Sequence, residues 1–201
     1  MLYYIEPTVK VGKNVTIEPY AVIKGDTVLH DNCIIGSFSY LSNAVVGANS
    51  TIKSSRVCDS KVGKNCTIGP NAHLREGAII CDDCRVGNFV EVKNSTLHCG
   101  VKASHLSYVG DAVVGKHTNI GCGVIFVNYN GKTKNRTVVG ENCFIGCNAN
   151  LVAPLSIGDG CFVACGTTVD KNMPNGSFGI GRSYLTTKEG KAEKYLKPCN
   201  K

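Results

Sequence analysis

Aliphatic side chains recur along this chain on a six-residue beat. From Val11 they fall at Ile17, Ile23, Leu29, Ile35 and Leu41, and after a short step at Val46, Ile52, Val57, Val62, Ile68, Leu74, Ile80, Val86 and Val92. Further short steps lead to Leu97, Ala103 and Val109, then to Val114, Ile120 and Phe126; beyond a gap come Val139, Ile145, Leu151, Ile157, Val163 and Val169. An amphipathic helix repeats every 3.6 residues, so this beat excludes one. It fits a short strand plus a turn, three of which close one triangular coil of a parallel β-helix. Gly-Lys-Asn and Gly-Asp-Gly elements supply corners. The position four after the aliphatic is repeatedly small: Ala21, Thr27, Cys33, Cys66, Ala72, Ala78, Cys84, Thr96, Thr118, Cys143, Ala149, Cys161 and Thr167. The five cysteines in that set read as small hydrophobes, which need no redox role.

In such a solenoid, coils stack at the strand spacing of ~4.8 Å, so residues about 18 apart in sequence become neighbours. Two positions beyond Val86, Ala103, Ile120, Ile145 and Val163 lie Asn88, His105, Cys122, Cys147 and Cys165, which therefore form one column. A histidine beside a file of small residues reads either as the edge of a groove or as a solvated corner. Side chains of one column point the same way and do not converge on zinc, so no metal is expected. On the adjacent face Arg75 and Lys93 follow Leu74 and Val92 and become direct neighbours. Two like charges at one coil spacing repel unless an anion joins them, and a guanidinium fork with an ammonium suits a phosphate. Tyr108 closes the corner between this pair and the His105 column.

The beat lapses once, in IFVNYNGKTKNRTVVG, Ile125 to Gly140. Thirteen residues separate Phe126 from Val139, seven more than one repeat. Asn128-Tyr129-Asn130-Gly131 reads as a turn, and the lysines and arginine after it stand on a protruding loop near 127–138. Such an arm either grips a phosphate-rich cofactor, reaches a neighbouring subunit, or is a tolerated surface insertion.

Composition narrows the setting. The 201 residues are 43% hydrophobic and 18% charged, with 7% aromatics and no Trp, which fits a narrow core of uniform layers. One domain is expected over 1–180, followed by a basic tail over 181–201 that frays or forms a short helix. Neither a membrane-spanning run nor a signal-peptide pattern is present in the sequence, so a cytoplasmic protein with reduced cysteines is expected. The formal charge of +7 favours an anionic ligand. Nucleic acid is disfavoured, because the basic residues are spread out and lack an aromatic stacking platform.

The stretches TIGPNAHLREG, VGNFVEVKNS, SHLSYVGDAVVG, NIGCGVIFVNYNGKTKNRTVVG, NANLVAPLSIGDG and GTTVDKNM carry a resemblance. Together they resemble the acetyltransferase half of the bifunctional glucosamine-1-phosphate acetyltransferase / N-acetylglucosamine-1-phosphate uridylyltransferase family. The resemblance implies a left-handed β-helix, assembled as a homotrimer with active sites between subunits, that transfers acetyl from acetyl-CoA to the amine of glucosamine 1-phosphate in UDP-N-acetylglucosamine biosynthesis. It implies His105 as general base. Arg75, Lys93, Tyr108 and Asn119 would hold the sugar phosphate, and Cys122, Asn128, Tyr129, Cys147, Cys165 and Arg182 would line the acetyl-CoA groove. Lys134 would serve an adjoining subunit's site from the arm.

The match has departures. Cys147 and Cys165 stand where smaller or more polar residues are usual, Glu76 where Pro is usual, and Asn130 where Asp is usual. The uridylyltransferase half has no counterpart in these residues, so, if Met1 is the native start, the chain is expected either to acetylate without making UDP-N-acetylglucosamine or to work with a separately encoded nucleotidyltransferase partner. Two further readings stay open: another amino sugar as acceptor, or a non-catalytic trimeric scaffold. A carbonic-anhydrase-like zinc enzyme is disfavoured because the histidines at 30, 73, 98, 105 and 117 lack a close pair.

Overall fold

The computed structural model describes residues 2–182 and 184–194 and is a parallel β-solenoid. Nearly every rung is two or three residues long, and its backbone pairs in parallel with the rung one coil away, as in Tyr4↔Val22, Thr67↔Arg85 and Phe162↔Phe178. Rungs from Lys10–Val11 to Leu155–Ile157 form a nine-stranded sheet, the third face of the prism. The first and second faces merge into one 18-stranded sheet. They merge because Arg85–Lys93 and Lys102–Gly110, nine residues each, run unbroken around the corner between them.

Backbone geometry at the corners explains which residues the chain places there. Each corner needs a residue with positive φ, which Asn, Asp and Gly tolerate best. One corner carries Asn14, Asn32, Asn49, Asn65 and Asp83 at φ from 54° to 62°. Their side chains form a ladder of amide hydrogen bonds from coil to coil, 3.1–3.3 Å long. A second corner runs through Gly25, Asn43, Asp59, Gly77, Asn94 and Asp111, and a third through Phe89, Leu106 and Gly123.

The expected core is the observed core at every beat position from Ile23 to Val169. Val11 is exposed and Ile17 half-buried because both lie on the first rung of their faces, with no coil packed on the outer side. The five corner cysteines, Cys33, Cys66, Cys84, Cys143 and Cys161, are buried free thiols. One small position shifts: Ser95 is 2% exposed and takes the corner expected for Thr96, which faces outward. The step there is five residues rather than six, so the corner residue comes one place earlier.

Arm and tail also take shape. The chain leaves the solenoid after Ile125–Val127 and re-enters at Thr137–Val139, while the coils on either side remain paired, as Ile120↔Ile145 shows. The last rung is Phe178–Gly179, and beyond it the described part of the tail contains a 3₁₀ turn at Ala192–Lys194. The rest of the expected tail, 195–201, lies outside the described residues. No helix among the described residues is long and apolar enough to cross a membrane.

Phe126 is the largest fully buried side chain and fills the coil from which the arm departs. Phe126→Ala should lower unfolding free energy by about 3–5 kcal/mol, read from urea denaturation. A loss below 1 kcal/mol would show that the coil collapses around the gap.

Candidate functional site

The second face carries the charged site. Its rungs put Leu74 beside Val92, Glu91 beside Tyr108 and Lys93 beside Gly110, so Arg75, Lys93 and Tyr108 share one patch of surface. The two cations are not bare, as the sequence reading had them. Arg75 Nη1 lies 2.7 Å from Glu91 Oε1, and its Nη2 lies 3.7 Å from Glu76. These carboxylates answer the guanidinium, and the repulsion from Lys93 is partly offset before any ligand arrives.

The arm folds back onto this patch. Tyr129 bridges to Lys134, Asn135 N–H donates to the Asn128 carbonyl at 2.7 Å, and the Tyr129 hydroxyl donates to the Gly131 carbonyl at 2.8 Å. Lys134, expected to serve another subunit, comes against Lys93 of its own chain. Its ammonium is pulled below the ordinary lysine range, first by its contact with the Lys93 amine and then by that group's charge, with Asp111 and Tyr108 acting the other way. Two ammoniums brought together near Tyr108 form a patch to which a multiply charged anion would be attracted.

Asp111, absent from the sequence-based site, sits beneath them. It is 7% exposed; Asn94 Nδ2 donates to one carboxylate oxygen at 2.6 Å and Asn128 Nδ2 to the other at 2.5 Å. Burial pushes this carboxyl up, but the amide hydrogen bonds from Asn94 and Asn128 and the charges of Lys93 and Lys134 prevail and hold it below the usual range. A signal existed in the sequence: Asn43, Asp59, Gly77, Asn94 and Asp111 recur at coil spacing. Glu91 was also missed, although it stands two residues before Lys93 on the same strand.

His105 lies three residues before Tyr108 on the strand Lys102–Gly110, paired with Asn88 across the ladder, and it is exposed. The column beyond it follows the expected order. Gly123 N–H donates to the Leu106 carbonyl, Asn148 N–H to that of Cys122, and Gly166 N–H to that of Cys147, at 2.7–2.8 Å. Cys122 is half-buried, while Cys147 and Cys165 are exposed. Arg182 Nη1 closes the column 3.2 Å from Cys165 Sγ. A hollow lined by Phe89, Glu91, Leu106, Tyr108 and Ile125 lies between column and cation patch.

Three expected site residues stand apart. Asn119 is on the first face, between Lys102 and Phe144, away from Arg75 and Lys93. Asn128 is 8% exposed and gives its amide to Asp111 and Tyr108 rather than to the cysteine column. Tyr129 spends its hydroxyl inside the arm. Among the described residues no group of three or more His, Cys, Asp or Glu side chains is placed to hold a metal ion.

The hexapeptide beat also decides the family. A model of the bacterial transferase hexapeptide, six repeats, matches residues 8–43, 59–94 and 136–171. The chain belongs to the bacterial hexapeptide transferase family. Among curated relatives, this hexapeptide transferase is 46% identical over 191 residues to the bifunctional protein GlmU of Clostridioides difficile and 49% identical over 194 residues to that of Staphylococcus haemolyticus. Those alignments take in 95% and 96% of this chain but only 42% of each relative, so it spans less than half their length. An Arabidopsis UDP-N-acetylglucosamine acyltransferase structure shares the fold, with a TM-score of 0.58 at 17% identity over 87% of this chain and 68% of the other.

Asp111 supports a pH test. A carboxyl whose folded pKa is depressed contributes its stabilisation fully above the unfolded value, about 3.9, and loses it as pH falls through the lower folded value. Carbon-13 NMR of the Asp111 carboxyl should therefore show a midpoint below about 3.9. A midpoint above that value would contradict the hydrogen-bonded, cation-flanked carboxylate.

Proposed function

We propose that this hexapeptide transferase moves the acetyl group of acetyl-CoA to the amine of glucosamine 1-phosphate. The observation that carries the reading is the convergence of Arg75, Lys93, Tyr108 and Lys134 on one anion site, with His105 three residues away along the strand from Tyr108. Relatedness to GlmU at 46–49% identity supports it. The phosphate takes the cations, and the sugar then extends toward the hollow beside His105.

Each chemical step has a group suited to it. The sugar amine must lose a proton as its nitrogen attacks the thioester carbonyl, and a neutral imidazole ring nitrogen can accept that proton. The C–S bond then breaks, and the departing CoA thiolate takes the proton back from the His105 imidazolium. Backbone N–H groups at the corner are the donors available to the tetrahedral oxyanion. The cysteine column gives the pantetheine arm a floor of small side chains, and Arg182 offers a cation to the CoA phosphates at its end.

The remaining pieces belong to the assembly. In a homotrimer Asn119 would complete the site from the first face of an adjoining copy. Formation of the nucleotide-linked sugar would fall to a nucleotidyltransferase activity outside these residues, and a cytoplasmic setting follows from both substrates.

A thiol-release assay with acetyl-CoA and glucosamine 1-phosphate tests the reading directly, with other amino sugars as comparison. His105→Ala should lower kcat by about 10²–10⁴ and leave KM for the sugar phosphate within a few-fold. Undiminished turnover in that variant, or preferred acetylation of an unphosphorylated amino sugar, would refute the assignment.

A further inference from the structure

Asp111 stands at the foot of the arm and touches both of its ends. Its Oδ2 receives Asn128 Nδ2 where the chain leaves the solenoid, and its backbone carbonyl receives Thr137 N–H at 3.3 Å where the chain returns. Its Oδ1 is tied downward to Asn94, so the clamp is anchored in the preceding coil. The equivalent contact three coils earlier, Asn43 Nδ2 to Asp59 Oδ1 at 3.0 Å, closes a plain corner with no arm above it. At Asp111 the same ladder has a free oxygen on its upper side, and the arm takes it.

The charges give this clamp a purpose beyond folding. Around the carboxylate stand Lys93 from the solenoid wall, Lys134 from the arm, and the neutral groups Asn94, Asn128 and Tyr108. Without a buried negative charge between them, Lys93 would repel Lys134 and drive the arm outward. We propose that Asp111 is a positioning residue: its carboxylate pins the arm where it leaves the solenoid and holds Lys134 against Lys93, so that the phosphate site exists before the ligand arrives.

This inference rests on the sugar-phosphate reading for its kinetic consequences, not for its structural ones. Asp111→Asn keeps the shape and suits the corner, since φ at 111 is +50° and Asn accepts that region. It removes the charge and leaves a single acceptor oxygen, so one of the two amide partners, Asn94 or Asn128, must re-pair. Hydrogen–deuterium exchange across residues 128–137 should then accelerate about tenfold or more, while exchange across 112–120 stays as in the parent. The KM for glucosamine 1-phosphate should rise about tenfold, with the KM for acetyl-CoA changed by less than about twofold. In a Lys134→Ala background the same substitution should add less than about threefold, because the lysine it positions is gone.

Unchanged exchange in the arm overturns the proposal, as does full multiplication of the two kinetic effects. Should the parent protein fail to acetylate glucosamine 1-phosphate, the functional reading falls and the exchange measurement alone decides the clamp. If Asp111→Asn does not fold, Asn128→Ala breaks the same contact from the arm side and must loosen 128–137 for the proposal to survive.

Discussion

A parallel backbone ladder spaced one strand apart fixes the cross-section of every coil, and the rest of this molecule follows from that. Each rung can send one side chain per face into a prism of constant width. The interior therefore takes Ile, Leu or Val on the faces and Ala, Thr, Ser or Cys at the corners, with Phe126 as the largest occupant. Corners must turn the chain sharply from one face to the next, which accounts for the files of Asn, Asp and Gly at positive φ. The amide ladder along one corner satisfies side chains that would otherwise compete with the backbone for its hydrogen bonds.

The same stacking makes an outer surface of aligned columns, and chemistry arises where columns of different character meet. Arg75 and Lys93 are neighbours for the same reason that Leu74 and Val92 are. The long strands around Val90 and Ser107 carry this alignment past a corner without interruption, so His105 and Tyr108 are held on one continuous piece of backbone. A shallow surface thereby acquires a fixed relation between an imidazole and a patch of cations. The arm then adds a third wall that the repeat alone does not provide.

What the sequence disclosed and what it hid divide along physical lines. Period and register depend only on backbone spacing and burial, so the core from Ile23 to Val169 and the Asn88–His105 pairing were readable. Val11 and Ile17 differ because a terminal rung has one open side, a fact about ends that a period does not contain. Thr96 gave way to Ser95 because a five-residue step moves the corner. Glu91 and Asp111 sat in readable register, but their roles did not show, because charge compensation depends on where flexible side chains turn; Asn128, expected in the groove, gives its amide to Asp111 and Tyr108. Asn119 shows the limit of reading a site from residue types alone, since its rung lies between Lys102 and Phe144 on the first face, apart from Arg75 and Lys93.

The arm leaves and rejoins without disturbing the ladder, and the step from Ile120 to Ile145 spans 25 residues yet pairs like every other rung. Its residues thus bear little of the load of holding the prism together. Selection can lengthen, shorten or rewrite that segment at small cost to the scaffold, so new ligand preferences are free to emerge there while the repeat beneath is inherited intact.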